Sequence, residues 1–289
     1  MESYRLEGQT FVIDDYDRKP AFSSFLPGLA GVKGIPLWTF YTNRGQGMNS
    51  FGIDNKGNAI MEFNSANTAF ENTQVKGFRT FLKIDGEYYE PFFTYEKEAK
   101  RQMRMNKNSF KIIETNEKYG IEVTVNYYVL PNESIGALVR QVSVKNIGDS
   151  AKEVQVIDGL PKIITYGIAN GEFKEMSNLF KSWADIRNLE NKVPYYTLRA
   201  STKDSAEVSD VEGGYYYLTV RDGKLQDVIY DVDTVFGYDL SLMTPVNFID
   251  GSIEGVLSKE QCFANKVPCG FTPFKEVVEP GKELAFDTM

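Results

Sequence analysis

The segment Thr42-Asn43-Arg44-Gly45-Gln46-Gly47-Met48-Asn49-Ser50 has the residue types of a recognition site. It follows the aromatic run Leu37-Trp38-Thr39-Phe40-Tyr41. Arg44, Gln46 and Asn49 therefore offer hydrogen-bond donors and acceptors beside aromatic planes, on a backbone that Gly45 and Gly47 allow to bend closely. Sugars ask for this combination, since their hydroxyls need directed hydrogen bonds and their C–H faces pack on aromatic rings. The same residues also suit a plain hairpin loop in which Arg44 pairs with a neighbouring carboxylate.

The chain contains no histidine. That removes Ser-His-Asp and Cys-His activation and the commonest general base near neutral pH, leaving carboxylate, Lys or Tyr chemistry or none. Asp231 and Asp233, two apart, would share one face of an extended strand and could serve as acid and base; placement in a solvated loop is the simpler reading. Asp14, Asp15 and Asp17 are closely spaced but lack the Gly and distal Glu of a calcium-binding hand, so they read as a polar turn. Cys262 and Cys269 have no His to join them as ligands and are expected as two reduced thiols. No phosphate-binding Gly-rich loop occurs, and neither metal nor cofactor is expected.

A formal charge of −8 and a pI near 4.9 argue against a nucleic-acid footprint. Lys97, Lys100, Arg101, Arg104, Lys107 and Lys111 are a local exception, read as a solvated surface. The amino end shows no basic region followed by an apolar core, and no apolar run is long enough for a bilayer, so a cytoplasmic chain without a membrane partner is expected.

The elements that must position these residues are strands. Aromatic content is high, with 17 Tyr and 20 Phe, which suits pleated, half-buried surfaces. From Ile121 to Val129 every odd position is apolar, the period of a strand with one buried face. Runs from Ile135 to Ile147 and through Val154, Val156 and Leu160 predict two further strands in one antiparallel meander. Its exposed apolar face must be covered by a second sheet, which makes a large β-sandwich. Asp54-Asn55-Lys56-Gly57 and Asp85-Gly86 mark hairpins, the latter between strands at 78–84 and 88–95. Phe22 to Pro36 reads as a structured loop without regular pairing, because Pro and Gly punctuate it. Arg140 interrupts an inward register and is expected to be buried and paired, or to mark a bulge. Phe173, Met176, Leu179, Phe180 and Trp183 predict one amphipathic helix over 171–188, and 252–260 a second short one. Strands resume at 195–200, 206–211, 215–220 and 282–289. With no linker or repeat, the 289 residues are expected to form a single domain.

Six ordered blocks resemble one family: Ser23 to Gly28, Ile35 to Gln46, Gly77 to Phe81, Asn188 to Tyr195, Ala206 to Gly214 and Asn265 to Phe271. Together they are similar to the N-terminal domain of inverting glycoside phosphorylases related to cellobiose phosphorylase, most closely the 1,2-β-oligoglucan phosphorylases. The resemblance implies a super-sandwich of the galactose-mutarotase type, a helical linker and an (α/α) barrel beyond this stretch, and a catalytic acid in that barrel, with no catalytic residue here. It implies a complete enzyme in which inorganic phosphate attacks the anomeric carbon of a β-glucan and releases glucose 1-phosphate with inversion, as a homodimer. Trp38, Arg44, Gln46 and Asn49 would then border the cleft that receives the oligosaccharide. A free-standing carbohydrate-binding module and a purely structural dimerisation domain are the alternatives.

Overall fold

A computed structural model describes residues 3–93, 98–201, 206–207 and 209–289. In Ile121–Val129 the residues Ile121, Val123, Val125 and Tyr127 are buried, and Glu122, Thr124 and Asn126 are partly exposed, as the period of two requires. Leu138–Asn146 pairs with it antiparallel, with Val125 opposite Val142. Both belong to a nine-stranded sheet in the order Tyr4–Glu7, Thr10–Asp14, Lys100–Met105, Ser109–Asn116, Ile121–Val129, Leu138–Asn146, Glu283–Thr288, Thr219–Arg221, Lys224–Leu225.

The expected third member of the meander leaves this sheet. Lys152–Leu160 lies in a four-stranded sheet ordered Gly270–Val278, Lys152–Leu160, Arg79–Ile84, Glu87–Tyr89. Its burial explains why: from Val154 to Leu160 every residue is buried, so both faces are covered rather than one. Val154 and Val156 enter the main core, whereas Ile157, Phe81 and Phe271 pack under Phe236, Phe248, Ile253 and Val256 of three short helices, Val232–Phe236, Val246–Asp250 and Ile253–Leu257.

A second four-stranded sheet runs Ser23–Ala30, Ile35–Thr42, Met48–Ile53, Ala59–Met61. Leu26, Ala30, Leu37 and Phe51 from this sheet share one core cluster with Val123, Val142, Leu82 and Val156. The inward faces of the three sheets thus meet in one core, and the molecule is a mainly-β sandwich. A small sheet of Ala184–Arg187, Tyr195–Leu198 and Tyr215–Tyr216 closes one side.

Several local readings change. Residues 23–30 are a regular strand and not an unpaired loop; Pro27 is tolerated because this is an edge strand, where a missing N–H breaks no ladder. The single helix expected over 171–188 is two helices, Asn170–Glu175 and Ser177–Phe180, then a 3-10 turn at Lys181–Trp183 and the strand Ala184–Arg187. Met176 leaves helical geometry at φ −107° and ψ 18°, although Phe173 and Phe180 do line one apolar cluster. Ala66–Lys76 is a helix that no apolar stripe announces, for it buries only Ala69 and Thr73. Thr94, Tyr95, Lys97 and Val208 lie outside the described residues. The hairpin strand before them is short, Glu87–Tyr89, and the described part of 206–211 contains no strand. Within the basic run, Lys100 is solvated beside Glu117, but Arg101 is buried, donating to Glu114 and Asp17. Asp231, expected in a solvated loop, is buried: it caps the helix at Val232, and with Asp233 it accepts from Lys266. Among the described residues no helix is long and apolar enough to cross a membrane.

Candidate functional site

The strand pairing decides which side chains share the outer face of the sheet that carries Trp38. Pro27 lies opposite Trp38 and Phe25 opposite Phe40, so these four stand on one face. Phe63 joins them from the next segment. The Trp38 and Phe63 rings meet edge to face at 5.7 Å, Phe25 lies 4.8 Å from Phe40, and Phe25 and Trp38 are 6.4 Å apart. Phe40 is thereby covered, while Phe25 remains 52% exposed and Trp38 half-buried. The Trp38 indole is fixed by its Nε1–H, which donates to the Asn55 carbonyl at 3.2 Å. The result is a rigid aromatic platform open to solvent.

Two depressions flank the segment Pro27–Gly28–Leu29. One, of about 360 Å³, is bordered by Pro36, Leu37, Trp38 and Asp54. The other, of about 760 Å³, is rich in amides, with Gln9, Asn106, Asn108 and Asn126 around Tyr128 and Lys107. The Asn126 Nδ2 donates to Gln141 Oε1 at 3.1 Å, and Asn106 Oδ1 accepts from the backbone of Asn108 and Ser109, which shapes the turn. Burial, then the nearby Asp287, raises the Tyr128 hydroxyl above its ordinary value, keeping it a neutral donor. Aromatic planes, amides and one carboxylate bordering open clefts fit the hydroxyl and C–H surfaces of sugars.

The residues singled out in the sequence are not assembled into one loop. Trp38 lies on the platform. Arg44 sits in the tight turn after Ile35–Thr42, half-buried, its Nη1 donating to Asn43 O at 2.8 Å and Nη2 to Lys19 O at 3.2 Å. Four residues of strand and the start of the turn separate it from Trp38 along the chain. Gln46 is only 3% exposed, and its amide is spent inside: Nε2 donates to Thr80 Oγ1 at 2.9 Å and Oε1 accepts from Arg140. Asn49, 4% exposed, donates to Thr73 Oγ1 and Ala69 O of the helix Ala66–Lys76. Both amides therefore face the interior and not a solvent-exposed rim. The glycines that looked like room for a ligand serve the turn: Gly45 and Gly47 have φ of 50° and 79°, and a Cβ on Gly47 would stand 2.7 Å from the Phe110 ring.

Gln46 belongs to a buried polar hub. Arg140 donates to Asp158, Gln46, Thr80 and the Tyr127 hydroxyl, and Thr80 in turn donates to Asp158 at 2.6 Å. The paired and buried Arg140 expected from the sequence is found. Asn49 borders a small recess with Glu62, Asn64, Lys76 and Lys162, where its Oδ1 has no partner among the described residues. Burial lowers the Lys162 ammonium below the usual lysine value; Glu62 opposes this shift, and Lys76 and Lys181 reinforce it.

Phe25, Phe63, Asp54, Asn126 and Tyr128 were not singled out by sequence. The signal existed for Phe25: with Pro27 and Leu29 it alternates with Leu26 and Ala30 in the pattern of an edge strand. Against known proteins, the sequence matches no family model and no curated protein.

Proposed function

We propose that this chain is a non-catalytic carbohydrate-positioning domain, which holds a β-glucan for a phosphorylase whose bond-breaking groups lie in another domain. The observation that carries the reading is the solvent-open platform of Phe25, Trp38 and Phe63 beside the amide-lined cleft. The six sequence blocks similar to inverting glycoside phosphorylases supply the reaction class: phosphate attacks the anomeric carbon, the glycosidic C–O bond breaks, and an acid elsewhere protonates the leaving glucan oxygen. The domain's own share is orientation of the oligosaccharide, with a homodimer and a catalytic barrel as partners in the complete enzyme. A free-standing carbohydrate-binding module is the second reading, favoured by the fact that the platform is built entirely from this chain.

Calorimetry of the 289-residue chain with β-1,2-gluco-oligosaccharides separates the two. Micromolar binding supports the free-standing module, and weak binding that contributes only in the complete enzyme supports the positioning domain. In either, Trp38→Ala should weaken affinity roughly tenfold, about 1.4 kcal/mol, read on the folded fraction because the half-buried indole also packs on a core cluster. If Trp38→Ala and Phe25→Ala leave both oligosaccharide affinity and turnover by the complete enzyme as they were, the carbohydrate reading is wrong.

A further inference from the structure

Three lysines that are far apart in sequence converge on the small recess beside Glu62. Lys162 follows the strand Lys152–Leu160, Lys76 ends the helix Ala66–Lys76, and Lys181 opens the 3-10 turn Lys181–Trp183. Lys76 and Lys162 border the recess together with Glu62 and Asn64, and Lys181 is close enough to act on the Lys162 ammonium. A fourth, Lys174, donates to the carbonyl of Phe63, between the two wall residues Glu62 and Asn64.

This convergence runs against the composition. The chain has a formal charge of −8, and elsewhere Lys100, Lys118, Lys266 and Lys275 each meet a carboxylate at 2.6–3.1 Å. Lys76, Lys162 and Lys181 have no hydrogen bond or ion pair among the described residues. The carboxylate that acts on Lys162 is Glu62, so three ammonium groups stand against one carboxylate, a formal excess of two positive charges. Lys76 and Lys181 are exposed, but Lys162 is partly buried. Like charges gathered where water is partly excluded repel with little screening, and a bound counter-ion removes that cost.

We propose that this recess binds an inorganic, tetrahedral oxyanion of charge −2, of the sulfate or phosphate type, held by Lys76, Lys162 and Lys181. The enclosed part of the recess is about 10 Å³, room for one oxygen atom. One oxygen of the anion therefore enters beside Lys76 and Lys162, and the others stay at the open mouth, where the exposed Lys181 side chain can swing towards them. Asn64 adds an uncharged donor, because its Nδ2 makes one contact only, to Glu62 O at 3.4 Å. The proposal stands on these charges and does not rest on the carbohydrate reading.

The test is an NMR titration of the isotope-labelled chain with sulfate and with inorganic phosphate, at pH 7 and constant low ionic strength. Both anions are expected to give saturable shifts at residues 62–64, 76–77 and 162–163 with a Kd of about 1 mM, weakened severalfold in about 0.15 M salt as the exposed charges are screened. Lys162→Met and Lys76→Met should each weaken binding about tenfold, and Glu62→Gln should tighten it severalfold. Lys33→Met, which removes an exposed lysine outside the recess, should change nothing. Absence of saturable shifts at these residues up to about 50 mM of either anion would overturn the proposal. So would binding that Lys162→Met and Lys76→Met leave intact, or that Lys33→Met weakens as much as they do.

Discussion

Arg140 and Asp158 sit on strands of opposite layers, eighteen residues apart, and meet in the core with exposures of 1% and 0%. The contact joins Leu138–Asn146 of the nine-stranded sheet to Lys152–Leu160 of the helix-covered sheet at the point where the chain has just changed layers. Gln46, Thr80 and Tyr127 complete the hydrogen bonding, so the hub ties both sheets to the turn that follows Ile35–Thr42.

Removing one partner of this pair strands a charge in the core. Asp158→Leu or Arg140→Met alone is expected to cost about 3–5 kcal/mol, read as a lower midpoint in urea. The double variant Arg140→Met with Asp158→Leu should recover most of that loss, because neither charge remains to be desolvated. A double variant no more stable than the worse single one would show that the neutral hydrogen bonds of Gln46, Thr80 and Tyr127 matter more than the charges.

How much of this was legible beforehand follows from what each residue faces. Strands with one wet face, such as Ile121–Val129, announce themselves by alternation, and an Arg inside such a register announces a buried pair. Lys152–Leu160 is covered on both sides, so its pattern could not say which sheet it joins. Gln46 and Asn49 illustrate the same limit for the site: polar residues near glycines look like a ligand loop, yet their amides satisfy neighbours that are distant in sequence, Arg140 and Thr73. Trp38 was legible as an aromatic, but its platform partner Phe25 depended on a strand hidden by Pro27 and Gly28.

Gly47 offers a direct test of the turn that the sequence pattern suggested for ligand binding. Its φ of 79° penalises a side chain, and so does the Phe110 ring, which would lie 2.7 Å from a Cβ at this position. Gly47→Ala should destabilise the chain by about 1–3 kcal/mol, measured by chemical unfolding, and should leave the oligosaccharide affinity proposed for the Trp38 platform as it is in the parent, read on the folded fraction. Equal stability would mean the turn relaxes freely.

Alkali should unfold the protein through its tyrosines. Burial, eased by the Arg140 charge, pushes Tyr127 up to about 12, and burial likewise takes Tyr216 to about 12. Both phenols ionise in the unfolded chain near their ordinary value of about 10. Above that pH the unfolded state therefore holds fewer protons than the folded one. The contribution of these two groups is then level below about pH 10, and stability falls between about 10 and 12, which circular dichroism at constant urea will follow. Tyr127→Phe should flatten that fall.

Lys162 titrates with the opposite sense. Its ammonium is mostly buried, makes no hydrogen bond among the described residues, and its nearby opposite charge, Glu62, is offset by Lys76 and Lys181. Because its folded value is depressed, between that value and the usual lysine range the unfolded chain carries the extra proton, and stability gained from this group rises with pH. Below the folded value the charged amine suffers its full desolvation in the native state. Lys162→Met keeps the length and removes the charge, so it should raise the urea midpoint at pH 7 and lose that advantage as the pH approaches about 10. A variant less stable than the parent at pH 7 would show instead that the amine has a partner in the recess beside Asn49, whose Oδ1 is the acceptor standing free there among the described residues.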